Sequence, residues 1–470
     1  MFTLFDSGLA RDCQGFSRRE FFKVGALSFG GLTLSNLLAA RALAAAAGKP
    51  VKDRSVVLLF HQGGPPHIEF FDPKMTAPVE TRSINGELKT SLPGVTFGGT
   101  FPKLARLAHK LAVVRSYASG NGGHTYQAVA SGGNPTRAAM GALYARVAGT
   151  NHPVSGMPRN VLILPEAIDP TIKLGKNFET GALPTLTTPG DLGPSYAAFD
   201  PSGGGQLKQN LELKLPRERF DDRRALLKQL DTFKRQVEKT KALDGVDVFQ
   251  QQAYEVITRG IANAFDLSKE DAKTVARYDT SHLFKLEDIT KWFDMRRASN
   301  LLGKQLLLAR RLCEAGCGFV TVSDCGWDYH ANGNSPKNMG GLPSMGGQVD
   351  HAVAAFIEDL EARGLSDRIL LVITGEMGRT PRLNKNGGRD HWADLTTLAF
   401  AGGGLKMGQV IGQSDSKAAR PATEKYTPAN LLATVMNHLL DVGEVRLMPD
   451  LPRDVVKATT EGKPIPGLLA

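Results

Sequence analysis

The sequence predicts an α/β fold, a doubly wound and mostly parallel sheet flanked by helices, with a helical insertion. Three observations carry this expectation. The runs "SVVLLF" (55–60), "NVLIL" (160–164), "FVTVS" (319–323) and "ILLVIT" (369–374) are continuously apolar and β-branched, as in strands covered on both faces. Helical periodicity separates several of these runs, the pattern of a sheet wound with crossovers. Polar, glycine-rich loops follow the runs, at the carboxyl ends where open α/β sheets bind ligands.

The amino-terminal stretch "SRREFFKVGALSFGGLTLSNLLAARALA" pairs Arg18 and Arg19 ahead of Phe21, Phe22 and Lys23. An uncharged run from Val24 to Ala40 follows, diluted by glycine and serine and shorter than the roughly 20 strongly apolar residues of a spanning helix. It ends in the small-residue pattern Ala42-Leu43-Ala44. Residues 1–44 therefore read as a twin-arginine export signal, removed after transport; an amphipathic first helix or an uncleaved anchor are the alternatives. The expected location is the periplasm or the extracellular space. Residues 45–470 then form a single domain with no membrane span.

Along that domain the remaining strands are "LAVVRS" (111–116) and "LAFAG" (398–402). Residues 216–316 are mainly helical, with apolar residues three and four apart at Leu226, Leu227, Leu230, Phe233 and Val237 and again at Ala298, Leu301, Leu302 and Leu306. "GGQVDHAVAAFIEDLEARG" (346–364) is a further helix with Gly364 as its stop. No fixed-period repeat is present.

The formal charge is +10, from 57 basic and 47 acidic side chains. Loss of residues 1–44 removes five basic and three acidic groups, so the mature chain stays modestly basic. Acidic residues are dispersed among the basic ones and no aromatic-interleaved basic stripe occurs. This suits anionic small molecules or polymers and argues against nucleic acid. Cys13 leaves with the signal; Cys313, Cys317 and Cys325 remain. Cys313 and Cys317 lie four apart on a helical pattern, side by side, so buried free thiols are expected and no disulfide framework.

The strand-end loops hold the chemistry. After the first strand comes "HQGGPPHIEFFDPK" with His61, His67, Glu69 and Asp72; after the second, "YASGNGGHTYQ" with His124 and Thr125. After the fourth comes "DCGWDYHANGN" with Asp324, Asp328 and His330. After the fifth, "GEMGRTPRLNKNGGRDHW" (375–392) carries Glu376, Arg379, Arg389, Asp390 and His391. Five of the ten histidines fall in these loops. Asp328 and His330 share one side of an extended segment, able to hold one metal ion together or to hydrogen-bond locally. His109, His351 and His438 sit in helical patterns and read as packing or surface residues.

"GGPPHIEFFDPK", "GWDYH", "GEMGRTP" and "GRDHW", in this order behind a twin-arginine pattern, resemble the exported, sulfatase-like family known as domain of unknown function 1501. The resemblance spans nearly the whole mature chain and implies an alkaline-phosphatase-like fold. Metal-dependent members of that superfamily use an aspartate after the first strand, a Ser, Thr or modified Cys nucleophile at a helix start, a spaced Asp and His, an Asp-His pair and a later lone His. By that resemblance Asp328 and His330 look like the spaced pair, and His391 like the late histidine. Glu376-Met377 stands in place of the Asp-His pair, Phe60-His61-Gln62 in place of the first aspartate, and no residue marks the nucleophile. One metal subsite is therefore implied and the second is depleted.

Two functional readings follow. In the first the protein is an exported hydrolase of sulfate or phosphate esters, on a small molecule or a sulfated polysaccharide. One divalent ion (zinc, calcium or magnesium) is held by Asp328, His330 and His391. Arg379 and Arg389, with His61 and His67, bind the anion. His124 and Glu376 handle protons. In the second reading a degenerate fold serves as a non-catalytic binding or assembly protein of the cell envelope.

Overall fold

The computed structural model describes residues 50–202 and 261–469. The proposed signal and the residues from Leu226 to Val237 lie outside them. A mostly parallel sheet of seven strands, covered by helices on both faces, organises the chain. Its strands are β1 (Ser55–Gln62), β2 (Leu111–Val114), β3 (Asn160–Ile163), β4 (Phe319–Cys325), β5 (Ile369–Gly375), β6 (Leu398–Gly402) and β7 (Gln409–Ile411). Their order is β7-β2-β6-β5-β1-β4-β3. The three longest strands lie together at the centre: β1 pairs in parallel with β4 and with β5.

Alternation along β1 explains the two covered faces. Val57 and Leu59 belong to one apolar core, which also takes in Leu306 and Val353 of helices α2 (Leu302–Glu314) and α3 (Leu342–Ala362). Val56, Leu58 and Phe60 belong to the other, with Leu143 of helix α1 (Met140–Ala148) and Val435 of helix α4 (Pro428–Leu439). Side chains one residue apart on a strand point to opposite faces, so a run that is apolar at every position has to be buried on both.

The register brings the expected loops to one edge. His61 lies opposite Asp324 on β4 and opposite Gly375 on β5, so the segments after all three strands leave side by side. The sixth strand departs from the expectation of a common direction. β6 is antiparallel to both β5 and β2, with Leu398 opposite Thr374, and it is its amino-terminal end that lies at the ligand edge. The reason is the connection: residues 376–397 contain only two-residue strands and no helix that could carry the chain back across the sheet. A parallel partner needs such a crossover, an antiparallel one does not.

α3 begins at Leu342, with Pro343 in its first turn, four residues before the expected start, and it ends ahead of Gly364 at φ 67°, which supplies the left-handed stop. α2 ends at Glu314, so Cys317 lies beyond the helix instead of on its face. Cys313, Cys317 and Cys325 are all free and buried. The described part of the helical region docks through a buried ion network: Arg310 reaches Asp359 at 3.0 Å and Glu270 at 2.8 Å, and Tyr278 donates to Asp359 at 3.0 Å. Among the described residues no helix is long and apolar enough to cross a membrane.

Candidate metal centre

The centre of the edge is Asp328, 4% exposed, in the turn Gly326-Trp327-Asp328 after β4. Three devices fix that turn. The Trp327 backbone N–H donates to the Gln62 carbonyl at 3.0 Å, and its indole N–H donates to the Asp324 carboxylate at 2.8 Å. Gly63, at φ 110°, lies so close that a Cβ there would fall 2.5 Å from the Asp328 nitrogen. Only glycine combines that backbone conformation with that approach.

Three imidazoles surround the carboxylate. His124 places Nε2 3.6 Å from Asp328 Oδ2, while its Nδ1 pairs with Glu376 Oε1 at 2.9 Å. His330 places Nε2 3.1 Å from Asp328 Oδ1, with Nδ1 on Asp390 at 2.7 Å. His391 places Nε2 3.4 Å from Oδ1, with Nδ1 on the Gly122 carbonyl at 3.0 Å. Carboxylates and carbonyls accept, so each Nδ1 carries a proton, and each Nε2 turns inward, offering a lone pair to a metal ion or, when the imidazole is charged, an N–H to Asp328. One ligand atom from each of His124, Asp328 and His391 lies within 4.8 Å of the other two. Imidazoles held at Nδ1 by an oxygen, with Nε2 free, are the usual preparation of metal-binding histidines. The donor set therefore fits a divalent ion.

Electrostatics point the same way. Burial opposes ionisation of Asp328, but the Arg379 guanidinium and hydrogen bonds from the three histidines overcome it and hold the carboxyl well below its usual range. Burial also opposes charging of His124, yet the hydrogen bonds and charges of Asp328 and Glu376 push it up to about 9. His330 is raised by its hydrogen bond to Asp328. The cluster attracts a cation, whether protons or a metal.

Arg379 ties the loops together. Fully buried, it donates to the Gly63 carbonyl and Asp328 Oδ1, to the Gly64 carbonyl at 3.1 Å and to the Arg389 carbonyl at 3.1 Å. Glu376, also fully buried, accepts from the Gly63 N–H at 2.8 Å in addition to His124. Both therefore hold ligand-bearing groups; Arg379 has little left for a substrate, whereas the second Glu376 oxygen, Oε2, is buried without a hydrogen-bond partner among the described residues.

The other residues expected here lie elsewhere. Arg389 turns inward: it pairs with Glu69 at 2.9 Å and donates to the carbonyls of Thr380, Pro381, Thr81 and Arg82. His67 donates to the Ala418 carbonyl at 2.9 Å, and burial lowers it to about 4. His61 lies under the site, its Nδ1 2.8 Å from Asp324. Arg389 and His67 bind backbone carbonyls and His61 binds the Asp324 carboxylate, and no hydrogen bond joins any of the three to the imidazole cluster among the described residues. Sequence reasoning missed Phe178, whose ring packs 4.1 Å from that of His124. It missed Glu179 as well, which accepts from the Gly326 N–H at 3.1 Å and which burial raises to about 8. Both come from the helical turn Phe178–Ala182, a segment with no strand-end signal to mark it.

The family model described as "Protein of unknown function (DUF1501)" matches residues 53–469. No curated protein matches the chain. Among solved structures, a sulfatase from Pseudoalteromonas sp. aligns over 92% of this chain and 77% of that chain at 13% identity, TM-score 0.35. A phosphonate monoester hydrolase from Silicibacter pomeroyi aligns over 82% and 73% at 11% identity, TM-score 0.35. The lipoteichoic acid synthase LtaP from Listeria monocytogenes aligns over 84% and 72% at 9% identity, TM-score 0.31.

Proposed function

The chain belongs to the DUF1501 family, and from that premise we propose that it is an exported, metal-dependent hydrolase of sulfate or phosphate esters. The observation that supports this most is the convergence of three Nε2 atoms on Asp328, each imidazole being held at Nδ1 by an oxygen. A donor set dominated by imidazole suits a zinc-like ion better than calcium or magnesium. When bound, such an ion would polarise an ester oxygen or lower the pKa of a water molecule. His124, Asp328 and His391 would hold it, with His330 beside them. Glu376 orients His124, and Arg379 holds Asp328 against the turn at Gly63. Excess basic charge in the mature chain suits an anionic ester, a sulfated polysaccharide being the polymeric case.

A second reading, a binding or assembly protein of the cell envelope, is favoured by Met377. Its side chain is fully buried and packs beside Gly64, and no donor stands there for a second metal. Elemental analysis of the mature protein, with a panel of sulfate and phosphate esters, separates the two. The hydrolase is supported by one divalent ion per chain and turnover that a chelator removes; neither ion nor turnover supports the binder. The export route is tested separately: changing Arg18 and Arg19 to lysine should retain precursor in the cytoplasm, and normal export would end that part of the proposal.

A further inference from the structure

His124 stands on a loosely packed loop. It follows Gly120-Asn121-Gly122-Gly123, and at Gly120 and Gly123 a Cβ would meet nothing within 4 Å. His391, by contrast, sits in a two-residue strand paired with Arg379. The hydrogen bond from His124 Nδ1 to Glu376 at 2.9 Å fixes one atom of the imidazole but not its plane. Phe178 supplies the plane. Its ring centroid lies 4.1 Å from that of His124 at an interplanar angle of 31°, a tilted face-to-face stack, while His391 meets His124 at 4.6 Å and 83°. Among the described residues neither His330 nor His391 has a ring partner besides another histidine.

Phe178 can act in this way because its own backbone is fixed. It opens the turn Phe178–Ala182, capped by Asn177. The Asn177 side-chain oxygen accepts from the Glu179 N–H at 3.0 Å, and the Thr180 hydroxyl accepts from the Asn177 N–H at 3.2 Å. The Asn177 amide also donates to the Asp294 carbonyl at 3.2 Å. Next to Phe178, Glu179 accepts from the Gly326 N–H at 3.1 Å, two residues before Asp328. One capped turn therefore braces both the ring of His124 and the turn that presents Asp328. Phe178 is half-buried and belongs to neither apolar core, so core packing does not account for its place.

We propose that Phe178 is a positioning residue of the metal centre, holding His124 with Nε2 aimed at the ion, a role that rests on the metal-dependent reading above. The stack strengthens on binding. An imidazole that gives its lone pair to a divalent ion becomes electron-poor, and the face of a phenyl ring attracts positive charge within about 6 Å. The contact is thus worth more with the ion than without it, and only such a difference raises affinity.

The test compares wild type with Phe178→Leu, which keeps an apolar side chain and loses the ring, and with Phe178→Tyr, which keeps the ring; Phe178→Met serves if the leucine variant does not fold. Zinc affinity is read by competition with a chelating dye, and the absorption of bound cobalt(II) reports the geometry of the ligands. Phe178→Leu should bind zinc at least about 10-fold more weakly, the scale of lost ligand support, and shift the cobalt spectrum. Phe178→Tyr should recover both. Unchanged zinc affinity in Phe178→Leu, or equal losses in the two variants, overturns the proposal. A further readout needs no metal. In metal-free protein with isotope-labelled histidine, the low-field proton that His124 Nδ1 donates to Glu376 is identified by its loss in His124→Gln. It should be present in wild type and Phe178→Tyr and broadened by exchange with water in Phe178→Leu. If wild type binds neither zinc nor cobalt, the metal-dependent reading has failed; broadening in Phe178→Leu alone then still supports the hold of Phe178 on His124, and a persistent signal overturns it.

Discussion

The Nε2 atoms of His330 and His391 stand 2.9 Å apart although the Nδ1 of each already donates to an oxygen, Asp390 in one case and the Gly122 carbonyl in the other. Two facing lone pairs repel, so the pair is stable only with a cation between or beside them. A proton serves at low pH; a divalent ion serves where the ligands stay neutral. One tightly held ion per chain is expected. His391→Ala should remove that ion with little loss of folding stability, since its side chain is 25% exposed in a loop at the sheet edge. Elemental analysis beside thermal unfolding reads both quantities. Two ions in the wild type, or one ion retained by the variant, would contradict this ligand assignment.

The sequence makes the strands legible because β1, β4 and β5 carry apolar or β-branched residues on both faces along most of their length, and the glycine-rich loops behind them gather at one edge as expected. Direction is a different matter. "LAFAG" reads the same in either orientation, and only the absence of a helix between Gly375 and Leu398 makes β6 run backwards. The ligand region is legible for a similar reason, as His124, Asp328 and His391 lie in the segments that follow β2, β4 and β5. Side-chain direction within a loop is not. Arg379 and Arg389 share a segment with His391, yet both point into protein, and that depends on Gly63 and Glu69, more than 300 residues earlier in the chain.

The inward turn of Arg389 makes a stability prediction. Arg389 and Glu69 are both fully buried, and Glu69 also accepts from Ser83 and from the Ile84 N–H. Removing one partner of a buried pair leaves the other charge unpaired, at about 3–5 kcal/mol. Arg389→Ala should lower the unfolding free energy by that order. Combining it with Glu69→Gln should cost clearly less than the two single changes added together. Denaturant unfolding of the four proteins is the measurement. Additive losses would mean that the pair is not coupled.

Stability should fall on the acid side for a reason outside the site. His438 is fully buried and bonds to the Ser55 carbonyl at 3.2 Å; burial lowers it from 6.5 to about 4. A histidine whose folded pKa lies below its unfolded value stabilises the fold fully above about pH 6.5, and that contribution is lost as pH falls through about 4. Between pH 8 and pH 4.5 the loss from this one group is about 2 kcal/mol. In His438→Gln the difference in unfolding free energy between those two pH values should shrink by that order, whatever the variant costs at pH 8. An undiminished difference would show that His438 does not titrate in this way.

The last prediction separates two glycines near the site. A Cβ on Gly63 would fall 2.5 Å from the Asp328 nitrogen and 2.7 Å from the Trp327 carbonyl carbon, with φ at 110°. Backbone atoms cannot swing aside as a flexible side chain can, so Gly63→Ala must displace the turn that carries Asp328 or force Gly63 out of register with Glu376. Either movement separates Asp328 from the imidazoles. Gly123 stands next to His124, has no positive φ, and leaves open space around the place a Cβ would take, with nothing within 4 Å. Gly123→Ala therefore meets neither obstacle. Metal affinity, measured by competition with a chelating dye, should fall at least about 10-fold in Gly63→Ala, the scale seen when ligand orientation is lost, and change little in Gly123→Ala. The reverse order, or equal effects, would mean that the close approach of Gly63 to Asp328 does not set the geometry of the site.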